Sequence, residues 1–186
     1  MRDIRRIFVH CTAGNQKQTK NDLLREFKAR GWKAPGYHYV VFPDGKVESL
    51  LSEDKVSNGV QGYNSTAINI AYVGGVDSKL KPVDNRTQAQ KDALYDLLFY
   101  LKQQYPNAHI MGHRDIWGKD SKKWKKWCPC FDAEAEYAKL DEDIKLSKYE
   151  DAAPKQTKYT PKVPNSPVKP VSYIDKIKKL ASWLRK

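Results

Sequence analysis

The sequence has only three cysteines among 186 residues, Cys11, Cys128 and Cys130, and only two methionines. So few cysteines exclude a disulfide-rich scaffold, and an odd number argues against full pairing. No stretch approaches the ~18–20 consecutive apolar residues of a membrane-spanning helix. Residues 1–9 offer Ile7-Phe8-Val9 as their longest apolar run, too short for the core of a secretory leader. The expectation is therefore synthesis in the cytoplasm, without export by the usual N-terminal route. The last 35 residues lack glycine altogether and contain a single acidic residue, Asp175, against nine Lys and Arg.

That last scarcity changes the meaning of the overall charge. The chain carries +12, from 34 Lys and Arg against 22 Asp and Glu. Residues 152–186 hold +8 of it and residues 1–151 only +4. A basic chain invites a nucleic-acid reading, but the charge sits mostly outside the part that can build a core, so nucleic acid is not the expected partner. Five of the ten prolines (Pro154, Pro161, Pro164, Pro167 and Pro170) fall in the same tail. At that density neither a regular helix nor a central strand can form. Three segments follow: a domain over 1–151, a Pro/Lys-rich linker over 152–170, and a basic amphipathic helix over 171–186. Ser172 and Asp175 make a capping-box-like start for that helix. Such a helix can lie on an anionic membrane or envelope surface, or dock back on the domain.

Periodicity organises the first 151 residues. Residues 4–9 read as a strand with His10 at its end. A helix capped by Thr19 or Asn21 runs to Arg30 with Leu23, Leu24 and Phe27 on one face. Residues 37–42 and 46–50 form a hairpin around Pro43-Asp44-Gly45. Residues 68–73 form a strand closed by Gly74-Gly75. Thr87 caps the strongest helix, which reaches Tyr105-Pro106. Residues 108–111 form a short buried strand followed by His113. A basic loop over 119–126 leads to Cys128, and Asp132 starts a last helix reaching about Leu146. This order predicts an α/β fold with a mixed central β-sheet flanked by helices.

His10 and His113 each follow a short apolar strand, and Cys128 lies in a loop beyond the second. Two imidazoles and a thiolate form a recognised catalytic zinc set, with a fourth position open to water. Spacing alone leaves the alternative that each is an ordinary buried residue.

The flanking residues carry more. His10-Cys11-Thr12-Ala13, Gly36-Tyr37-His38-Tyr39, Gly62-Tyr63-Asn64 with INIAYVGG over 68–75, Gly112-His113-Arg114-Asp115, and Cys128-Pro129 occur in that order. The sequence resembles the zinc-dependent N-acetylmuramoyl-L-alanine amidases of type 2, a group that includes small phage lysozymes and peptidoglycan recognition proteins. The resemblance covers roughly residues 4–140. It implies one Zn²⁺ held by His10, His113 and Cys128, with Tyr37 facing the metal and Lys126 supporting the reaction centre. It implies peptidoglycan as substrate, cut at the amide between N-acetylmuramic acid and L-alanine, and an endolysin-type enzyme, expected to be a monomer, that acts on the cell wall after release or delivery. The alternatives it leaves are a non-catalytic peptidoglycan-binding module and an amidase that also inhibits an RNA polymerase.

Each role has a plainer reading beside it. Tyr37 alternates with Tyr39 and could pack on the sheet. Lys126 is one of five lysines in a solvated loop. His38 and His109 read as strand residues, and Cys11 as a small buried residue beside His10. Many members of the resembled family carry a histidine just before Gly-Tyr-Asn, where this chain has Ser57-Asn58-Gly59-Val60-Gln61. Cys130 stands where glycine or serine is usual and rivals Cys128 as ligand. Cys128 is favoured because it directly precedes the proline.

Overall fold

A computed structural model describes residues 2–152. The linker over 152–170 (beyond its first residue) and the helix over 171–186 lie outside the described residues. Five strands form one sheet: β1 (Arg6–Cys11), β2 (Tyr39–Val41), β3 (Val47–Ser49), β4 (Ala67–Tyr72) and β5 (His109–Gly112). Their spatial order is β3-β2-β4-β1-β5. β1 runs parallel to both β4 and β5, β2 parallel to β4, and only the β2–β3 hairpin is antiparallel. The mixed sheet expected from the sequence is thus the architecture of the chain.

The strands alternate, and the alternation separates structure from chemistry. In β1, Ile7, Val9 and Cys11 join the large core with Ile68, Ile70 and Tyr72 of β4 and Tyr39 and Val41 of β2. That face is covered by α2 (Gln88–Gln104), whose Leu94, Leu97, Leu98 and Leu101 are all fully buried. The opposite face carries Phe8, with Val60 and Ala67, and Val40 and Val73 packed on Leu23 and Phe27. Leu23 and Phe27 come from α1 (Lys20–Ala29), one turn apart, and Thr19, one of the two expected caps, closes a capping box with Asp22. His10 and Asn69 belong to this second, α1-covered face by the same period-two rule.

The entry to α2 is tied to the sheet. The Thr87 hydroxyl accepts from the Gln90 amide at 3.1 Å and donates to the Pro43 carbonyl at 2.7 Å. Gln90 Nε2 donates to the carbonyls of Val41 and Val73. Thr87→Ala removes the cap and the Pro43 bond together. Its expected cost is about 1–2 kcal/mol, measured as a shift in the urea midpoint at constant slope.

The sequence reading differs in two places. His10 lies inside β1, which extends two residues further than expected, because Thr12 N–H still bonds the Tyr72 carbonyl and keeps the chain extended beside β4. The single last helix is broken into α3 (Ala133–Glu136) and α4 (Leu140–Ala152). The break falls at Tyr137, which is buried against Phe131 and reaches the Arg86 guanidinium. Tertiary packing there outweighs helix propensity. Among the described residues, no helix is long and apolar enough to cross a membrane.

Candidate active site

The site lies at the C-terminal ends of β1 and β5. His10 is 1% exposed in β1, and His113 opens a short 3₁₀ turn (His113–Trp117) directly after β5. Cys128 comes from the following loop, which is fastened from several sides. Arg114 N–H bonds the Cys128 carbonyl at 2.8 Å and the Tyr72 hydroxyl bonds the Pro129 carbonyl at 2.7 Å. Gly112 is needed for the approach: a Cβ there would stand 2.5 Å from Cδ of Pro129. The loop therefore sits flush against the end of β5.

The structure brings His10, His113 and Cys128 together. One ligand atom from each lies within 4.8 Å of the others, and among the described residues this is the group able to hold a metal ion. Nδ1 of His113 is 3.2 Å from Nδ1 of His10, and Cys128 Sγ is 3.6 Å from that same nitrogen. The Cys11 amide donates to Cys128 Sγ at 3.2 Å. Cys130 Sγ turns away, to 3.8 Å from Cys11 Sγ and 3.2 Å from the Gly75 carbonyl. All three cysteines are free thiols.

Burial sets the charge of the histidines. Desolvation pushes His10 down to about 4, with Lys126 adding to the shift and a hydrogen bond to Asn69 opposing it. Desolvation, then His10 and Lys126, push His113 down to about 3. Both rings are therefore neutral near pH 7 and keep a lone pair for a metal. Trp117 stacks on His113 at 5.6 Å and holds its plane.

Above these side chains opens a cleft of about 280 Å³. Tyr37 and Lys126 both line it. The Tyr37 ring stands 5.2 Å from His10 and packs edge-on against Phe27, while its hydroxyl is 3.4 Å from the Cys11 carbonyl. Burial, then the nearby Cys128 and Cys11, push the Tyr37 hydroxyl well above the ordinary tyrosine range, so it stays protonated. Glu26, Phe27, Arg30 and Trp32 form the far wall, with Trp32 stacked on Phe27. The other two histidines have different surroundings. His38 is buried in hydrogen bonds to Ser57, the Asn69 amide and the Lys55 carbonyl. His109 pairs with Glu134 at the surface.

Residues 1–131 match the family model described as N-acetylmuramoyl-L-alanine amidase. The chain belongs to the N-acetylmuramoyl-L-alanine amidase family. Together with the endolysins it is similar to, membership supports peptidoglycan hydrolase activity of the type 2 group. It is 42% identical over 130 residues to the endolysin of Klebsiella phage KP32, covering 68% of this chain and 80% of that one. Among solved structures it is similar to the Ph2119 endolysin from a Thermus scotoductus bacteriophage, with a TM-score of 0.58 and 28% identity. That match covers 74% of this chain and 84% of the other. It is also similar to the amidase LysC from Clostridium intestinale, with a TM-score of 0.61, 25% identity, and 76% and 86% covered.

Two site residues escaped the sequence reading. Asn69 binds His10, and Gly59 lines the cleft beside it. The available signal was the lone amide in the otherwise apolar strand AINIAY, every residue of which is buried.

Proposed function

We propose that this amidase is an endolysin-type enzyme that uses one zinc ion, held by His10, His113 and Cys128, to hydrolyse the bond between N-acetylmuramic acid and L-alanine. The observation that carries the proposal is the spacing of the three ligand atoms. Around a tetrahedral zinc with bonds of about 2.05 Å to nitrogen and about 2.3 Å to sulfur, imidazole nitrogens stand about 3.3 Å apart and a nitrogen and a sulfur about 3.6 Å apart. From His10 Nδ1 the corresponding separations here are 3.2 Å to His113 Nδ1 and 3.6 Å to Cys128 Sγ, and all three ligand atoms lie within 4.8 Å of one another. Retention of all three ligands beside Tyr37 favours catalysis over a bare binding module.

Zinc at this position supplies Lewis acidity and makes water a stronger nucleophile at neutral pH. The chain's own groups do the rest. The cleft holds the lactyl-alanyl amide between the α1 wall and the Cys128 loop. Lys126, on the cleft lining, places positive charge where the attacked carbonyl develops negative charge. Tyr37 stays protonated, so it donates a hydrogen bond to that oxygen or orients the water. The departing L-alanine amine gains its proton from Tyr37, Lys126 or solvent.

Tyr37→Phe is expected to lower kcat by about 10²-fold, the usual cost of one donor to a developing oxyanion. Zinc content should be unchanged, because the hydroxyl faces the Cys11 carbonyl and the ring packing survives. Elemental analysis beside the rate measurement checks both halves.

The test of the function is digestion of purified peptidoglycan. New L-alanine amino termini are expected, lost with a chelator and restored by zinc. Release of reducing sugar ends or of other amino termini would contradict it.

A further inference from the structure

We propose that Asn69 is the positioning residue of the metal centre: it fixes the tautomer of His10 so that Nδ1 presents its lone pair to the site. This rests on the assignment of His10 as a ligand. The hydrogen bonds around Asn69 form a chain in which each step determines the next.

It starts at a backbone group whose role is not in question. Val60 N–H can only donate, and it donates to Asn64 Oδ1 at 2.7 Å. Asn64 Oδ1 is therefore an acceptor. Asn69 faces that oxygen at 3.4 Å and must turn its NH₂ toward it. The same NH₂ donates to the Ser57 hydroxyl at 2.9 Å. The orientation of the Asn69 amide is thereby set, and Oδ1 points the other way, 2.9 Å from His10 Nε2. An amide oxygen only accepts, so His10 carries its proton on Nε2. Nδ1 is left bare, and it is Nδ1 that faces His113 and Cys128.

A second branch secures Ser57. The Asn69 backbone N–H donates to His38 Nδ1 at 3.0 Å, so that nitrogen is an acceptor. The Ser57 hydroxyl, 3.2 Å away, donates to it as well. Its oxygen then remains free to accept from Asn69. Ser57, Asn69, His38 and His10 are all buried, so each polar atom needs its partner. A ligand imidazole whose second nitrogen is held in this way is a better and better-aimed donor.

Gly59 makes room for the arrangement. A Cβ at that position would stand 2.3 Å from both Cγ and Oδ1 of Asn69. Gly59→Ala should displace the amide without deleting a polar group, and so acts independently of a change at Asn69.

The experiment is nitrogen-15 NMR of the histidine rings in the metal-free full chain, together with zinc affinity by competition against a chromophoric chelator. His10 is expected as the Nε2–H tautomer in the unsubstituted protein. Asn69→Leu and Gly59→Ala should each lose that tautomer preference and bind zinc roughly 10- to 100-fold more weakly. Should Asn69→Leu fail to fold, the unsubstituted protein and Gly59→Ala decide the matter. A His10 proton on Nδ1 in the unsubstituted protein, or zinc affinity within about threefold in both variants, would overturn the inference. Failure of the unsubstituted protein to bind zinc, with the tautomer as described, would instead overturn the ligand assignment beneath it.

Discussion

His113→Ala should lower kcat/KM on soluble muropeptides by at least about 10³-fold, equivalent to about 4 kcal/mol of transition-state stabilisation. His113 meets His10 through Nδ1 at 3.2 Å, and removing it leaves two ligands, one nitrogen and one sulfur. Two ligands do not hold zinc against solvent and buffer. The metal-free protein should nonetheless keep most of its stability. The His113 ring borders the cleft and packs against two other rings, His10 and Trp117. Activity and the thermal midpoint of the metal-free form are therefore expected to separate in this variant. Cys130→Ser is the matched control. Its sulfur lies against Cys11 and the Gly75 carbonyl, outside the ligand group, so activity should stay within a few-fold. Hydrolysis by His113→Ala within tenfold of the unsubstituted rate would remove His113 from the centre.

The largest stability effect is expected at Arg86. Its side chain is 1% exposed and bonds both Asp84 and Glu136. The guanidinium also lies over the Phe131 ring and reaches the Tyr137 hydroxyl. Arg86 thus ties the entry of α2 to α3 and to the residue that follows Cys130. Arg86→Met leaves two carboxylates facing a buried apolar side chain. Removing one member of a buried ionic group costs about 3–5 kcal/mol. Asp84 and Glu136 are 28% and 38% exposed, so water compensates part of the loss and about 3 kcal/mol is expected. For a chain of this size that is roughly 6–12 °C in Tm. Arg86→Lys should recover only part of it, since a point charge cannot serve both carboxylates bidentately. Adding Glu136→Gln to Arg86→Met should recover some of the loss by removing one stranded charge. A drop below about 1 kcal/mol for Arg86→Met would show that the network is solvated and contributes little.

The parts of this protein legible in its sequence are those written in local pattern. Thr87 and Thr19 announce helix starts because a cap is set by its immediate neighbours in the chain, here Gln90 and Asp22. Most of the strands could be read from short apolar runs, and the ligand set from ordered motifs around His10, His113 and Cys128. What escaped depends on partners distant in sequence. Nothing beside Tyr137 foretells that it will meet Phe131 and Arg86 and end a helix there. Nothing beside Asn69 foretells an imidazole 59 residues earlier in the chain. Gly59 reads as a loop glycine until the neighbouring strand is placed against it. The charge of the tail, conversely, is plain in the sequence and lies outside the described residues.

The central claim is that one zinc is bound by two imidazoles and the Cys128 thiolate. Zinc-edge X-ray absorption on the zinc-loaded full chain tests it most directly. The account predicts a single sulfur at about 2.3 Å with imidazole nitrogens at about 2.0–2.1 Å, the sulfur lost in Cys128→Ser and retained in Cys130→Ser. A sulfur shell that survives Cys128→Ser, or none in the unsubstituted protein, would contradict it.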